Sequence, residues 1–134
     1  MKNSVHILKT EYHVDKENKV VLCTLHVDTQ LDKHPAWISI SSDFFRKRFP
    51  FIGYSGEFIV KAKARCNEND LFDEVVGKRI AESRAKVKAY SIARRMWVCI
   101  TKTMKRFTLQ FSNTMHACEE AETIERRHVE ELCK

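Results

Sequence analysis

The clearest strand signal in the chain is residues 57–66, EFIVKAKARC, in which apolar or small side chains occupy every second position. The positions between them carry the cations Lys61, Lys63 and Arg65. Because successive side chains of a strand point to opposite faces of a sheet, this alternation places one face on a core and a basic face in water. The segment predicts a strand of a half-buried antiparallel sheet.

More β-rich segments precede this strand. Residues 5–14 and 19–28 are rich in β-branched side chains, and the polar loop 15–18 between them predicts an antiparallel hairpin. Residues 36–41 are a candidate for another strand, and residues 42–49 for a short helix that the following proline ends. We therefore expect a sheet of three or four strands.

The pattern becomes helical after Asp70, which is a suitable N-cap. An apolar stripe at spacings of three and four residues runs through positions 85, 89, 92, 96, 100, 103, 107, 111, 115 and 118. Residues 97–111 are an exception, because β-formers and a short alternating run also permit a second hairpin there. We favour the helix, since the stripe stays in phase on both sides.

The length of this helical region constrains the fold. One helix over residues 71–133 would be about 95 Å long, whereas a compact chain of this size spans only about 35–40 Å. We expect either a break near residues 112–114, which favour helix caps, or an elongated molecule that packs against another chain. The predicted fold is a single α+β domain over residues 1–134, mainly β to residue 69 and mainly α from residue 70, with an antiparallel sheet packed on a long C-terminal helix or helical hairpin.

Composition excludes several classes of protein. The chain has 134 residues, 24 basic and 18 acidic, for a net charge of +6. No apolar run is long enough to span a membrane, and no signal peptide is visible at the N-terminus. Five cysteines, an odd number without CxxC spacing, are typical of a reducing compartment. We expect a cytoplasmic protein.

Charge is segregated along the helical region. Residues 78–106 carry ten cations and one acid, whereas residues 113–134 carry six glutamates and three cations. At 100° per residue, five of the cations form a line about 33 Å long on one helix face. They are Arg84, Lys88, Arg95, Lys102 and Arg106.

Two interpretations of this basic line remain open. Together with Lys61, Lys63 and Arg65 it could follow a phosphate backbone. It could instead be the solvated side of an amphipathic helix, or pair with the glutamates of residues 119–131 in the same or a second subunit.

Residues 44–51, FFRKRFPF, are the densest aromatic segment and contain the cations Arg46, Lys47 and Arg48. Aromatic rings beside cations can stack on unpaired bases or insert at a membrane surface. The alternative is that the phenylalanines close the end of the sheet while the cations point outward. The three cations are candidate nucleic-acid contacts.

No known catalytic or phosphate-cradling motif occurs in the sequence. Asp70, Asp73 and Glu74 are explained by helix capping and by the helix dipole. Two histidines and two cysteines beyond residue 115 have no standard zinc spacing. Three other cysteines, at 23, 66 and 99, fall on apolar faces and suit a core. We expect no cofactor, no metal and no enzymatic activity.

Residues 64–73, ARCNENDLFD, followed by Gly77, Ala81, Arg84-Ala85 and Lys88, resemble a pattern in small uncharacterised proteins of bacteriophages and integrated mobile elements. The pattern joins a strand to a helix, and the small residues let the helix approach the strand closely. The resemblance covers about 25 residues. It implies a phage or mobile-element origin and no particular activity.

These observations predict a non-enzymatic binding protein of this phage type that contacts nucleic-acid phosphates through a basic helix face. The alternative is a protein–protein interaction module, or an oligomeric assembly protein that uses the C-terminal helical region. We expect a homo-oligomer whose further partner is nucleic acid or a host protein.

Overall fold

Three antiparallel strands, a short 3-10 helix at Leu31–Lys33 and one long α-helix make up the part of the chain that the structure describes. The computed structural model describes residues 5–33, 47–53, 55–67 and 69–134. Its elements are β1 (His6–Asp15), β2 (Val20–Asp28), β3 (Glu57–Arg65) and α1 (Glu74–Leu132). The strands lie in the order β1-β2-β3, with the helix packed on one face, which confirms the predicted α+β class. The predicted strand at 36–41 and most of the helix at 42–49 lie outside the described residues.

The β1–β2 hairpin forms as predicted. Val14 pairs with Val21 and Tyr12 with Cys23, and the register shifts once, between Ile7 and Lys9. The turn is closed by Asp15, whose carboxylate accepts hydrogen bonds from the backbone and side-chain nitrogens of Asn18 at 3.1 and 2.7 Å. Such local bonds from an aspartate favour a turn over continued strand.

The core lies between the inner face of the sheet and α1. Every second residue of β2 and β3 is buried, and the outward residues between them are half-buried or exposed. The helix contributes mainly alanines, which allow its backbone to approach the strands. The buried core side chains are Val21, Cys23, Leu25, Val27, Phe58, Val60, Ala62, Ala64, Ala81, Ala85, Ala89, Ala93 and Met96. The alternation in residues 57–66 therefore predicted the correct faces.

A buried polar contact between Thr29 and Gly56 holds the corner between the end of β2 and the start of β3. The hydroxyl of Thr29 donates to the carbonyl oxygen of Gly56 at 2.8 Å, and the Thr29 amide donates to the same oxygen at 3.1 Å. Thr29 has no exposed surface. Gly56 has a φ of 92°, in the left-handed region that glycine tolerates best. This corner fixes how β3 enters the sheet.

The helix begins later than predicted. Asp73, and not Asp70, caps it, because the Asp73 carboxylate accepts hydrogen bonds from the amides of Val75 and Val76 at 3.0 and 3.2 Å. The chain at Asp70 is instead held through its carbonyl oxygen, which accepts a hydrogen bond from Nζ of Lys19 at 2.9 Å. Both aspartates have the residue type of an N-cap, so composition alone did not separate them.

The helix continues to Leu132 without a break near residues 112–114, which was one of the two alternatives expected. Residues 97–111 are helical, as we favoured, and not a hairpin. At the expected break, the hydroxyl of Thr114 donates to the carbonyl oxygen of Gln110 at 3.0 Å. Because that bond joins successive turns, the polar side chain is satisfied inside the helix and no cap is needed.

The chain divides into two compact units, Met1–Val98 and Cys99–Lys134. The first contains the sheet and the part of α1 up to Val98, and the second contains the rest of α1. No helix among the described residues is both long enough and apolar enough to cross a membrane.

Candidate nucleic-acid interface

The outer edge of β3 is covered by side chains of α1. Among the described residues β3 pairs with β2 alone, so its other edge has no strand partner. Nζ of Lys88 donates to the carbonyl oxygen of Lys61 at 2.7 Å, and Nη1 of Arg84 donates to the carbonyl oxygen of Lys63 at 3.0 Å. Two helix cations are thus drawn onto the edge of the strand that carries the strand cations.

These contacts assemble a single group of five cations, which we call the cationic edge. It consists of Lys61, Lys63, Arg65, Arg84 and Lys88. The three strand residues point away from the core, because they alternate with buried positions along β3. All five side chains are exposed. The strand cations thus lie on the outer face of β3, beside the edge that Arg84 and Lys88 reach from α1.

No carboxylate neutralises the cationic edge within the described part of the first unit. None of its five members forms an ion pair there. Arg84 directs one of its five N–H donors, and Lys88 one of its three, to β3 carbonyls, so further donors remain for a ligand. A carbonyl oxygen carries only a partial negative charge, so the positive charge of the group is retained.

The opposite edge of the sheet, at β1, has a different charge arrangement on the same outward face. On β1, Glu11 pairs with Lys9 at 2.6 Å and lies 3.8 Å from His26. The hydrogen bond from Lys9 is the main reason that the pKa of Glu11 lies below its ordinary value. These acid–base pairs compensate one another, whereas the cations on β3 have no such partners.

The flank of α1 that faces β1 is likewise compensated. Nζ of Lys86 lies 3.1 Å from a carboxylate oxygen of Glu82, which also accepts a hydrogen bond from the hydroxyl of Tyr12 at 3.1 Å. The hydrogen bond from Lys86 is the largest cause of the lowered pKa of Glu82. The cations of this flank at Lys78 and Lys86 thus have carboxylate partners, unlike the five cations of the cationic edge.

The other predicted contact residues are less closely grouped. Arg95 is exposed, and helical periodicity places it on the flank of α1 that carries Arg84 and Lys88. Lys102 and Arg106 are exposed on the second unit. Lys47 and Arg48 are exposed, whereas Arg46 lies outside the described residues.

Several of the acidic, histidine and cysteine side chains considered in the sequence have other surroundings in the structure. No group of three or more metal-binding side chains occurs among the described residues. Asp73 caps α1, and His116 and His128 lie beside Glu119 and Glu125 at 3.2 and 3.7 Å. Burial raises the pKa of the Cys23 thiol, which favours the unreactive protonated form.

Sequence reasoning named the five cations but missed the contacts that join them. The alternation in β3 fixes side-chain directions, and it says nothing about which strand edge is free to receive a helix cation. No family model, curated protein or solved structure matches the chain. The resemblance of residues 64–88 to phage and mobile-element proteins stays a prediction.

Proposed function

We propose that the protein is a non-enzymatic binding protein that contacts the phosphate backbone of nucleic acid through the cationic edge. The observation that carries the proposal is the convergence of five exposed cations from β3 and α1 with no carboxylate partner in the described part of the first unit. Bringing phosphates to such a surface releases the counterions condensed on the nucleic acid, which favours binding.

The chemistry of the cationic edge favours binding that does not depend on base sequence. Lys61, Lys63 and Arg65 follow one another at about 6.6 Å along the strand, so they form a row of point charges. None of the five residues is aromatic, and the group therefore lacks the stacking surface that single-stranded binding proteins use for bases. Phosphates are the part of the ligand that such a row fits.

Two broader expectations accompany this proposal. The odd number of cysteines, all of them free, fits a reducing compartment such as the cytoplasm. A phage or mobile-element origin fits a small protein that acts on nucleic acid. Both rest on the sequence.

Fluorescence anisotropy with labelled 30-mer duplex DNA, single-stranded DNA and RNA tests the proposal at 50 mM salt. We expect the protein to bind, and the variant Lys61→Gln/Lys63→Gln/Arg65→Gln to bind at least tenfold more weakly, because three phosphate contacts are lost. These side chains are exposed and their carbonyls are unchanged, so the contacts with Arg84 and Lys88 are kept.

The matched control is Lys16→Gln/Lys33→Gln/Arg79→Gln, which removes the same net charge at exposed positions elsewhere. We expect its affinity to stay within threefold of that of the original protein. An equal loss in both variants would mean that net charge alone drives binding. If the unmodified protein does not bind at 50 mM salt, the proposal is wrong, and the protein–protein interaction module becomes the favoured function.

A further inference from the structure

The second unit exposes an unusual amount of apolar surface. It contains a single helical segment, residues 99–132, about 50 Å long. Phe111 is 74% exposed and Leu132 is 75% exposed, which is uncommon for side chains of this size. The other exposed large apolar side chains of this unit are Leu109, Met115, Ile124 and Val129. Contiguous apolar surface of this kind marks interaction sites.

Much of this surface lies on one side of the helix. At 100° per residue, the side chains of a central stripe fall within about 80° of one another. The stripe consists of the half-buried Met104 and Phe107 and the exposed Phe111, Met115 and Cys118. Its continuation towards the C-terminus carries Glu122 and Glu125 before it becomes apolar again at Val129. The most apolar part is therefore central, and acidic residues follow it.

Charge on the second unit has opposite signs at its two ends. Residues 99–112 hold three cations and no acid, for a net charge of +3, whereas residues 113–134 have a net charge of −3. The cations are Lys102, Lys105 and Arg106. Only three of the six glutamates have a partner on the same helix among the described residues, namely Glu119, Glu122 and Glu125.

We propose that two copies of the chain associate through this stripe as an antiparallel helix pair, with the two-fold axis beside Thr114 and Met115. This axis follows when the basic segment around residue 104 of one copy lies opposite the acidic segment around residue 125 of the other. The midpoint between these two positions falls between residues 114 and 115. The same register places Phe111 of each copy opposite Cys118 of the other. Charge complementarity thus selects this alignment, in which the second copy supplies an acidic segment for the basic one. Apolar contact is confined to the centre of the pair, between Phe111 and Cys118.

A parallel pair would not satisfy the charges. In that arrangement the basic segments of the two chains lie side by side, and so do the two acidic segments. Like charges therefore face each other along the helices. The antiparallel pair instead brings Lys105 and Arg106 opposite residues 123–124 of the partner, within a turn of Glu122 and Glu125. Self-association in this orientation is independent of the cationic edge, which belongs to the first unit.

Charge reversal tests the proposed pairing by sedimentation equilibrium at 50 mM salt. The variant Lys102→Glu/Lys105→Glu/Arg106→Glu should weaken dimerisation at least tenfold, because both ends of the pair become acidic. Adding Glu122→Lys, Glu125→Lys and Glu130→Lys exchanges the two signs and should restore dimerisation to within threefold. The reversal Lys16→Glu/Lys33→Glu/Arg79→Glu is the control for net charge and should leave it unchanged. A monomeric starting protein, or a double exchange that fails to restore the dimer while circular dichroism shows an intact helix, would overturn the proposal.

A distance measurement tests the orientation with the helix sequence otherwise intact. Cys133 is exposed, and with Cys66 and Cys118 replaced by serine it can carry a single spin label. In the antiparallel pair the two Cys133 positions are about 55 Å apart along the axis, whereas in a parallel pair they are neighbours. Double electron–electron resonance should therefore give a distance of about 55 Å. A distance below about 20 Å would show parallel helices and contradict the proposal.

Discussion

Gly56→Ala should lower the free energy of unfolding by about 3–5 kcal/mol. A Cβ atom at this position would lie 2.2 Å from Oγ1 of Thr29 and 2.6 Å from Cβ of Leu31. The φ of 92° adds backbone strain for any residue that has a side chain. The hydroxyl of Thr29 has no room to move without losing its buried hydrogen bond to the Gly56 carbonyl. Strain, overlap and a lost hydrogen bond therefore act together.

Urea denaturation followed by circular dichroism measures this loss, and Gly53→Ala is its matched control. At Gly53 the nearest atom to an added Cβ is the carbonyl oxygen of Glu57 at 3.5 Å, an ordinary contact. Its amide hydrogen bond to the same oxygen is kept in alanine. We expect Gly53→Ala to change stability by less than about 1 kcal/mol. Similar losses in the two variants would contradict the described geometry of the corner.

Leu25→Ala should have an effect of similar size, a loss of about 2–5 kcal/mol. Leu25 lies in the middle of β2, paired with Thr10 on one side and Val60 on the other, and its exposed fraction is 0%. Removing its side chain leaves a cavity between the sheet and α1 that the neighbouring strands cannot close. The transfer free energy of the lost methyl groups and the cost of the cavity add.

The same substitution at Leu109 provides the comparison, because Leu109 is 63% exposed and lies on the opposite side of the helix from the central stripe. Alanine is a strong helix former, so Leu109→Ala should change stability by no more than about 0.5 kcal/mol. The difference between their losses in free energy of unfolding measures the contribution of burying a leucine side chain. Equal denaturation midpoints would mean that β2 does not form the centre of the core.

The contacts of Arg84 and Lys88 also protect the sheet. A strand edge with free carbonyl groups can pair with another chain, and charged side chains are a common means of preventing this. Here the two helix cations occupy the carbonyls of Lys63 and Lys61. Substituting Arg84 or Lys88 would therefore both uncover the edge of β3 and remove a proposed phosphate contact. Substituting the strand cations tests phosphate binding without uncovering the edge, because their side chains form no hydrogen bond among the described residues.

The sequence predicted the fold where one physical rule acted alone. Alternation in residues 57–66 gave the faces of β3, and the stripe through Ala85 and Met96 gave the buried side of α1, since each pattern follows directly from backbone geometry. The start of α1 was wrong because Asp70 and Asp73 are equally suitable caps. Of the two alternatives for the helix, the break near residues 112–114 does not occur, because a threonine such as Thr114 can bond to the preceding turn as readily as it can cap.

The sequence predicted the residues of the candidate site and their faces within each element, but not the contacts between the strand and the helix. Lys61, Lys63 and Arg65 share a face by strand periodicity, and Arg84 and Lys88 share one by helix periodicity. Which helix flank meets which strand edge depends on the packing of the whole core, which no local pattern reports. The line of cations from Arg84 to Arg106 stays a prediction, and the structure adds the contacts of Arg84 and Lys88 with β3.

The salt dependence of binding to duplex DNA tests the central claim most directly, because its slope counts phosphate contacts. The logarithm of the association constant falls linearly with the logarithm of the salt concentration, by about 0.9 for each phosphate that the protein neutralises. Measured between 50 and 300 mM salt, the slope for Lys61→Gln/Lys63→Gln/Arg65→Gln should be shallower than that of the original protein by about 2.7. The control Lys16→Gln/Lys33→Gln/Arg79→Gln should keep the original slope. Identical slopes for all three proteins would contradict the claim that the cationic edge binds phosphates.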